Sequence, residues 1–330
     1  MTKRPDHIIE KLKPEHRERL KLLMTDSSDW KSFCDISDVH PVNSIRVNTL
    51  KISVEELKKR LETKWKIKQP FNENPEIIII EGRKDNSSLQ PGELGKAREH
   101  LLGYYYIQEI SSMMPLIALA PKEEELFIDL CAAPGSKTTQ AAAYMKNRGT
   151  VIANDASMGR ISILSTNIQR CGVTNAIITK TPGELLCKKL SELKITADKI
   201  LVDAPCSGEG TIRSSIQSTK MFSNNLIRKL SKIQKALVKF AIEVLKTDGE
   251  LIYSTCTHAP EENEEIVSYI LENYPEMQIQ KVNLPIKTRP GITEWQGTTY
   301  HPEVIKATRI YPQDNNTEGF FIAKFRKVGK

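Results

Sequence analysis

The sequence holds 330 residues, 39% of them hydrophobic and 27% charged, with 48 Lys and Arg against 41 Asp and Glu. No stretch approaches the ~18–20 apolar residues of a membrane span, and the start, Met1-Thr-Lys-Arg-Pro-Asp6, runs into a charged segment rather than the apolar core of a signal peptide. A cytoplasmic protein is therefore expected, without membrane contact. The net charge of +7 is compatible with a polyanionic partner and does not demand one. Cys34, Cys131, Cys171, Cys187, Cys206 and Cys256 form no C-x-x-C pair, so zinc and redox motifs lack support and no metal is expected.

Residues 7–24 look helical, restarting at Pro14, and their heavy charge reads as a solvated arm. Residues 44–50 alternate like a half-buried strand. Over 53–61, Ser53 and Glu56 have capping-box spacing, and Leu57 and Leu61 share one helical face. Residues 65–69 and 76–81 read as further strands. The division expected is a helical segment 1–40, a small α+β (RRM-like) RNA-binding domain 41–90, and a main domain 91–330. Residues 82–95 are the linker candidate, with a turn signal at Pro91-Gly92. Tyr104, Tyr105 and Tyr106 either stack on bases or line the entry to a core helix.

Residues 126–130 are a short apolar run, followed by Cys131-Ala132-Ala133-Pro134-Gly135-Ser136-Lys137 and a stretch of helix formers. Strand, tight turn and helix together open a nucleotide-type site in an α/β sheet. A dinucleotide loop wants G-x-G-x-x-G, and only Gly135 is present; a phosphate loop wants glycines where Cys131 and Ser136 stand. A loop that approaches its ligand closely without wrapping a pyrophosphate suits S-adenosylmethionine better than NAD or ATP. Strands are expected at 150–156, ending near Asp155, then at 176–179 and 199–204. A helix over 225–246 carries apolar residues at 226, 230, 233, 237, 241 and 244 and stops at Asp248-Gly249. A strand at 250–254, a helix opened by Pro260 and its acids, and closing strands at 277–282 and 320–325 complete the pattern. Such alternation indicates a Rossmann-like, doubly wound, mostly parallel sheet, with the loops at 131–137, 155, 203–206 and 254–257 gathered at the carboxyl ends of strands.

Two of those loops carry chemistry. Asp203-Ala-Pro-Cys206 follows one buried strand and Ser254-Thr-Cys256 another. Buried free cysteines are common as packing residues, but a pair in strand-end loops, one beside an aspartate, suits cytosine methylation at carbon 5. That carbon is a poor nucleophile until a thiolate adds to carbon 6 and makes it enolate-like. An acid near ring N3 shares a proton as charge builds, and a second thiol or base is useful when the carbon-5 proton leaves. The attacking thiolate needs an electropositive, partly open setting, for which Lys137 is a candidate source. This chemistry alone does not distinguish Cys206 from Cys256.

From about Ser44 to the C-terminus the chain resembles the NOL/NOP/Sun family of RNA cytosine-5 methyltransferases, through Gly103-Tyr-Tyr-Tyr-Ile-Gln108, the segment 129–137, Asp203-Ala-Pro-Cys206 and Ser254-Thr-Cys256. The resemblance implies a class I methyltransferase with S-adenosylmethionine held by Cys131 to Lys137, Asp155 on the ribose hydroxyls, and Arg160 among the cofactor-binding residues. It implies Cys256 as the attacking nucleophile, Cys206 as the thiol aiding release, and Asp203 against the cytosine ring and the methyl donor. Two positions depart from the family pattern: Ser136 replaces a second glycine, and Thr181 stands where an acid usually contacts the adenine. An ending with Ala307-Thr-Arg-Ile-Tyr-Pro312 and Gly319-Phe-Phe-Ile-Ala-Lys324 resembles the archaeal tRNA-modifying branch. That implies a tRNA substrate first, ribosomal RNA second, and a monomer. A catalytically silent RNA-binding protein on the same fold is the alternative, disfavoured by the intact Cys206, Cys256, Asp203 and Lys137.

Overall fold

The computed structural model describes residues 7–87, 89–215 and 222–329. Residues 1–6, read above for a signal segment, and Ser88 of the linker candidate lie outside them. Two compact units make up the chain, one of residues 42–201 and one of residues 1–41 with 202–330.

The first unit opens with an antiparallel sheet. Strands β1 (Asn43–Val47), β2 (Trp65–Lys68), β3 (Ile77–Arg83) and β4 (Tyr105–Ile107) take the order β2-β3-β1-β4. The helix Val54–Leu61 starts where the sequence predicts: Ser53 Oγ accepts the Glu56 amide at 3.1 Å. The capping box is not reciprocal, because Glu56 instead bonds Arg60 one turn on. Leu57, Leu61, Trp65, Ile45, Ile78 and Tyr105 close a core of their own. Tyr105 is fully buried and donates to the Leu94 carbonyl, and Tyr106 lies under the Arg46 and Arg170 guanidiniums. Neither of these two tyrosines is available for stacking on a base. The linker candidate is partly structured, since β3 reaches Arg83 and a short helix spans Glu93–Lys96.

The same unit continues into a parallel sheet. Strands β5 (Leu126–Asp129), β6 (Thr150–Asn154), β7 (Ala176–Thr179) and β8 (Ala197–Asp203) alternate with the helices Ser136–Tyr144, Met158–Cys171 and Gly183–Glu192. Pairing is β8-β5-β6-β7, with Ile128 in register with Ile152 on one side and Ile200 on the other. This is the Rossmann-like arrangement expected. The chain runs outward from β5 through β6 to β7 and returns beside β5, so the order reverses at β5, where ligands of such sheets bind.

The second unit takes over at Val202. Its strands are β9 (Leu245–Thr255), β10 (Met277–Gln280), β11 (Arg289–Pro290), β12 (Glu294–Trp295), β13 (Thr298–Thr299), β14 (Thr308–Ile310) and β15 (Phe320–Lys327). β15 pairs antiparallel with β9 along one edge, Ile322 opposite Ser254, and with β14 and then β10 along the other. The sequence ends its long helix at Asp248-Gly249; the helix instead spans Asn224–Glu243, and Asp248 lies inside β9 at φ +63°.

The N-terminal helices Pro14–Leu22 and Ser27–Ser37 belong to this unit and are not a solvated arm. Ile8, Leu12, Leu20 and Phe33 share a buried cluster with Ile212 and Tyr311. Most of the charges stay on the outer face, while Arg19 is buried and bonded to Glu261; nearby, Arg289 lies between Asp29 (2.6 Å) and Asp314 (2.7 Å). Beneath them Arg309 makes a two-point contact with Glu264, both almost wholly buried.

Candidate active site

In the second unit, the exits of β8 and β9 bring the two predicted cysteines together. Cys206 Sγ and Cys256 Sγ lie 3.4 Å apart, and both residues are half-buried. The backbone sets this spacing. The Ala204 amide donates to the Ser254 carbonyl, and the Gly210 amide donates to the Cys256 carbonyl, each at 2.9 Å. Gly210 has to be glycine, since a Cβ there would fall 2.4 Å from the Gly319 carbonyl oxygen and 2.8 Å from that of Cys256. Asp203 leaves the end of β8 and accepts from Ser254 Oγ at 2.7 Å, so its carboxylate is oriented by the strand that delivers Cys256.

Beneath the cysteines lies a buried polar layer. Ser207 and Thr257 hydroxyls meet at 2.7 Å, Thr257 donates to Glu209 at 3.2 Å, and Glu209 faces His16 Nε2 at 3.3 Å. Glu262 accepts the Ser207 amide on both oxygens and the Gln234 side-chain amide at 2.8 Å. Gln234 also donates to the Pro205 carbonyl. The Cys206 thiol is pushed well above its ordinary range by its bond to Cys256, by burial and by the nearby charges of Cys256 and Glu262. Thiolate is thus hard to form at Cys206.

In the first unit, the loop leaving β5 holds the predicted cofactor residues. Ala132 donates its amide to the Asn154 carbonyl and Gly135 to that of Ala132, each at 2.7 Å. Gly135 takes φ +104°, a backbone conformation that favours glycine, and a Cβ there would press on Leu164 Cδ1 of the helix Met158–Cys171 at 3.0 Å. Asp155 is buried at the end of β6, where one oxygen accepts the Ala133 amide at 3.3 Å and meets Arg160 at 3.2 Å. Arg160 also bonds the Ala133 carbonyl. Cys131, Ala132, Ala133, Pro134, Gly135, Ser136, Asp155 and Arg160 thus form one connected group, and Lys137 turns its Nζ to Ser112 Oγ at 2.9 Å. A strand-end loop, a following helix N-terminus and a carboxylate on the next strand suit an adenosyl ligand. Thr181 brings no acid; its carbonyl accepts from Asn154 at 3.0 Å, bracing the ends of β6 and β7 instead.

One residue of this neighbourhood escaped the sequence reading. Arg46 of β1 is 2% exposed and donates to Gln108, to the Ser136 carbonyl (2.7 Å) and to Thr139 Oγ1 (2.9 Å). It therefore holds the first turn of the helix that follows the loop. The only hint was an arginine inside a strand with apolar neighbours on both sides. Arg46→Met is expected to leave these acceptors unpaired inside the unit, costing about 2–3 kcal/mol of stability. Denaturant midpoint and S-adenosylmethionine titration check it, and both the midpoint and the cofactor affinity should fall.

Comparison with known proteins agrees with this geometry. Residues 116–326 match the family model of 16S rRNA methyltransferase RsmB/F, and residues 12–110 that of the N-terminal domain of RsmF. The chain is 42% identical over 284 residues to the tRNA (cytosine(49)-C(5))-methyltransferase of Pyrococcus abyssi, covering 86% of this chain and 88% of the relative. It is 36% identical to ribosomal RNA small subunit methyltransferase F of Erwinia tasmaniensis, covering 96% of this chain but only 63% of that longer protein. Among solved structures it is similar to a methyltransferase homologue from Pyrococcus horikoshii, with a TM-score of 0.82, 32% identity, and 97% and 99% of the two chains covered. It is also similar to NSun6 from Pyrococcus horikoshii, solved with the S-adenosylmethionine analogue SFG, at a TM-score of 0.79 and 27% identity over 98% and 100% of the chains. The chain belongs to the RsmB/F (Sun) family of S-adenosylmethionine-dependent RNA cytosine-5 methyltransferases.

Proposed function

We propose that this enzyme methylates carbon 5 of a cytosine in tRNA through a covalent adduct between Cys256 and carbon 6 of the base. The observation that carries this reading is the 3.4 Å pairing of two thiols beside an aspartate oriented by Ser254. A packing role explains one buried cysteine; it does not explain two thiols meeting at the exits of two strands.

S-adenosylmethionine supplies the methyl group as a sulfonium substituent. Cys131 to Ser136, Asp155 and Arg160 hold that cofactor, with Lys137 at the start of the helix. Cys256 Sγ bonds to carbon 6, and the electron pair of the 5,6 double bond shifts to carbon 5, which takes the methyl group as S-adenosylhomocysteine leaves with the broken bond's electron pair on its sulfur. Asp203 shares a proton with ring N3 and so steadies the negative charge that gathers there. The carbon-5 proton then leaves to a base, the double bond reforms and Cys256 Sγ is expelled as thiolate, with Cys206 assisting this release. The division of attack to Cys256 and release to Cys206 follows the family resemblance, and the 3.4 Å approach of the two sulfurs lets both reach one base.

The tRNA assignment rests on the near full-length match to the Pyrococcus abyssi tRNA enzyme. Arg228, Lys229, Lys232 and Lys239 are exposed along the helix Asn224–Glu243, a row of cations suited to an RNA backbone. Ribosomal RNA is the second substrate class, favoured by the match to the RsmF models and proteins. The test is incubation of the protein with total tRNA, or with ribosomal RNA, and methyl-labelled S-adenosylmethionine, followed by nucleoside analysis. Label in 5-methylcytosine of tRNA is expected. Label in ribosomal RNA alone would move the substrate, and bound cofactor without label in either would overturn the catalytic reading.

A further inference from the structure

Glu262 is a carboxylate that the chemistry above leaves unused. It is fully buried, yet it is built into the loop that carries Cys206. Its two oxygens accept the Ser207 amide at 3.3 and 3.1 Å, and Oε2 also accepts Gln234 Nε2 at 2.8 Å. Gln234 Nε2 reaches the Pro205 carbonyl at 2.9 Å as well. The residues on either side of Cys206 are thus tied to one carboxylate, directly on one side and through Gln234 on the other. Tyr253 of β9 donates its hydroxyl to the Glu262 carbonyl, which fixes the residue from below.

The charges around it are spoken for elsewhere. Lys235, from the helix that carries Gln234, bonds Glu265 at 2.7 Å. In its own segment, Glu261 is paired with Arg19 and Glu264 with Arg309. Cys206 and Glu209 face it from the loop after β8. Among the described residues no Lys, Arg or His forms an ion pair with Glu262. This buried carboxylate is held by the neutral donors of Ser207 and Gln234, and an apolar residue in its place would leave the Ser207 amide without these acceptors.

We infer that Glu262 is a positioning residue that fixes the Cys206 thiol against Cys256 through the Ser207 amide, and that its charge governs what that thiol does. The inference rests on the release role proposed for Cys206. Burial pushes the Glu262 carboxyl up to about 7, so its charge changes near neutral pH. Above that pH the carboxylate repels a thiolate at Cys206 and keeps the proton on its sulfur, which also keeps it out of the attacking role. Below it the carboxyl is neutral and loses acceptor capacity toward Ser207 and Gln234.

The test compares the wild-type enzyme with Glu262→Gln, which keeps the shape and removes the charge. Alkylation by iodoacetamide is followed at Cys206 by peptide mass spectrometry across pH, a readout independent of any catalytic role. The midpoint for Cys206 is expected to fall by about one pH unit in the variant, roughly tenfold more thiolate at a given pH. The variant is also expected to lose turnover through kcat, with KM for RNA and for S-adenosylmethionine within about twofold, and to accumulate protein–RNA adduct. In the wild type alone, the rate of adduct release should fall as pH drops through about 7. An unmoved Cys206 midpoint in folded Glu262→Gln overturns the inference. So does a wild-type release rate that shows no inflection between about pH 6 and 8, which needs no variant to fold. A moved midpoint without adduct supports the hold of Glu262 on Cys206 and counts instead against the release role of that thiol.

Discussion

Cys256→Ala is expected to abolish methyl transfer, by at least ~10⁴-fold, because it removes the thiol proposed to add to carbon 6 and so to activate carbon 5. The Cβ of the new residue keeps the backbone as it is: the Cys256 carbonyl still accepts the Gly210 amide, and the hydrogen bond lost is the one to Cys206 Sγ at 3.4 Å. S-adenosylmethionine should therefore bind within about twofold of wild type, and the melting temperature should hardly change. Cofactor titration with single-turnover methylation separates these outcomes. Retained turnover would remove Cys256 from the attacking role.

Cys206→Ala carries the second large effect, and it differs in kind. Attack and methyl transfer remain possible, while expulsion of Cys256 slows by about 10²–10⁴-fold, the usual range for a lost acid–base partner. The enzyme should then accumulate joined to its RNA, as a band that survives denaturant and disappears with ribonuclease. The double variant with Cys256→Ala should form no such band. Slow turnover without adduct would mean that Cys206 acts before attack rather than after it.

Much of this was legible in the sequence, and for identifiable reasons. The segments around Ile128, Ile152 and Ile200 pair in parallel because they are buried apolar runs separated by helix formers, and such runs have few alternative structures. Asp203, Cys206 and Cys256 could be assigned to loops because each follows such a run directly. The failures share a different cause. The helix Pro14–Leu22 looks solvated in a linear reading, yet Arg19 finds Glu261 far along the chain, a pairing no local pattern encodes. In the helix Asn224–Glu243 the expected apolar line includes Leu226, Leu230 and Ile233, which are only half-buried, while Ile227, Ser231 and Gln234 are buried. Periodicity alone passes over Gln234, since a buried amide belongs in a core only when its hydrogen bonds are supplied, here by Pro205 and Glu262. Arg46 and Glu262 were missed for the same reason: both are charged residues whose partners are distant in sequence and near in space.

Those partners also explain why the cysteine loops hold their shape. The Cys206 loop is tied to Glu262 and Gln234, and the Cys256 loop to Gly210 and, through Asn263, to the Thr257 carbonyl at 2.9 Å and Thr255 Oγ1 at 2.6 Å. Two thiols held in this way can work in succession on one carbon skeleton, one bonding to it and the other attending its departure.

The most direct test of that division of labour uses RNA containing 5-fluorocytosine at the modified position. Fluorine cannot leave as a proton, so the reaction halts after methyl transfer with the attacking sulfur still bonded to carbon 6. Digestion and peptide mass spectrometry then identify that sulfur. A methylated nucleotide on the peptide bearing Cys256 is the predicted result; the same adduct on the peptide bearing Cys206 would contradict the assignment.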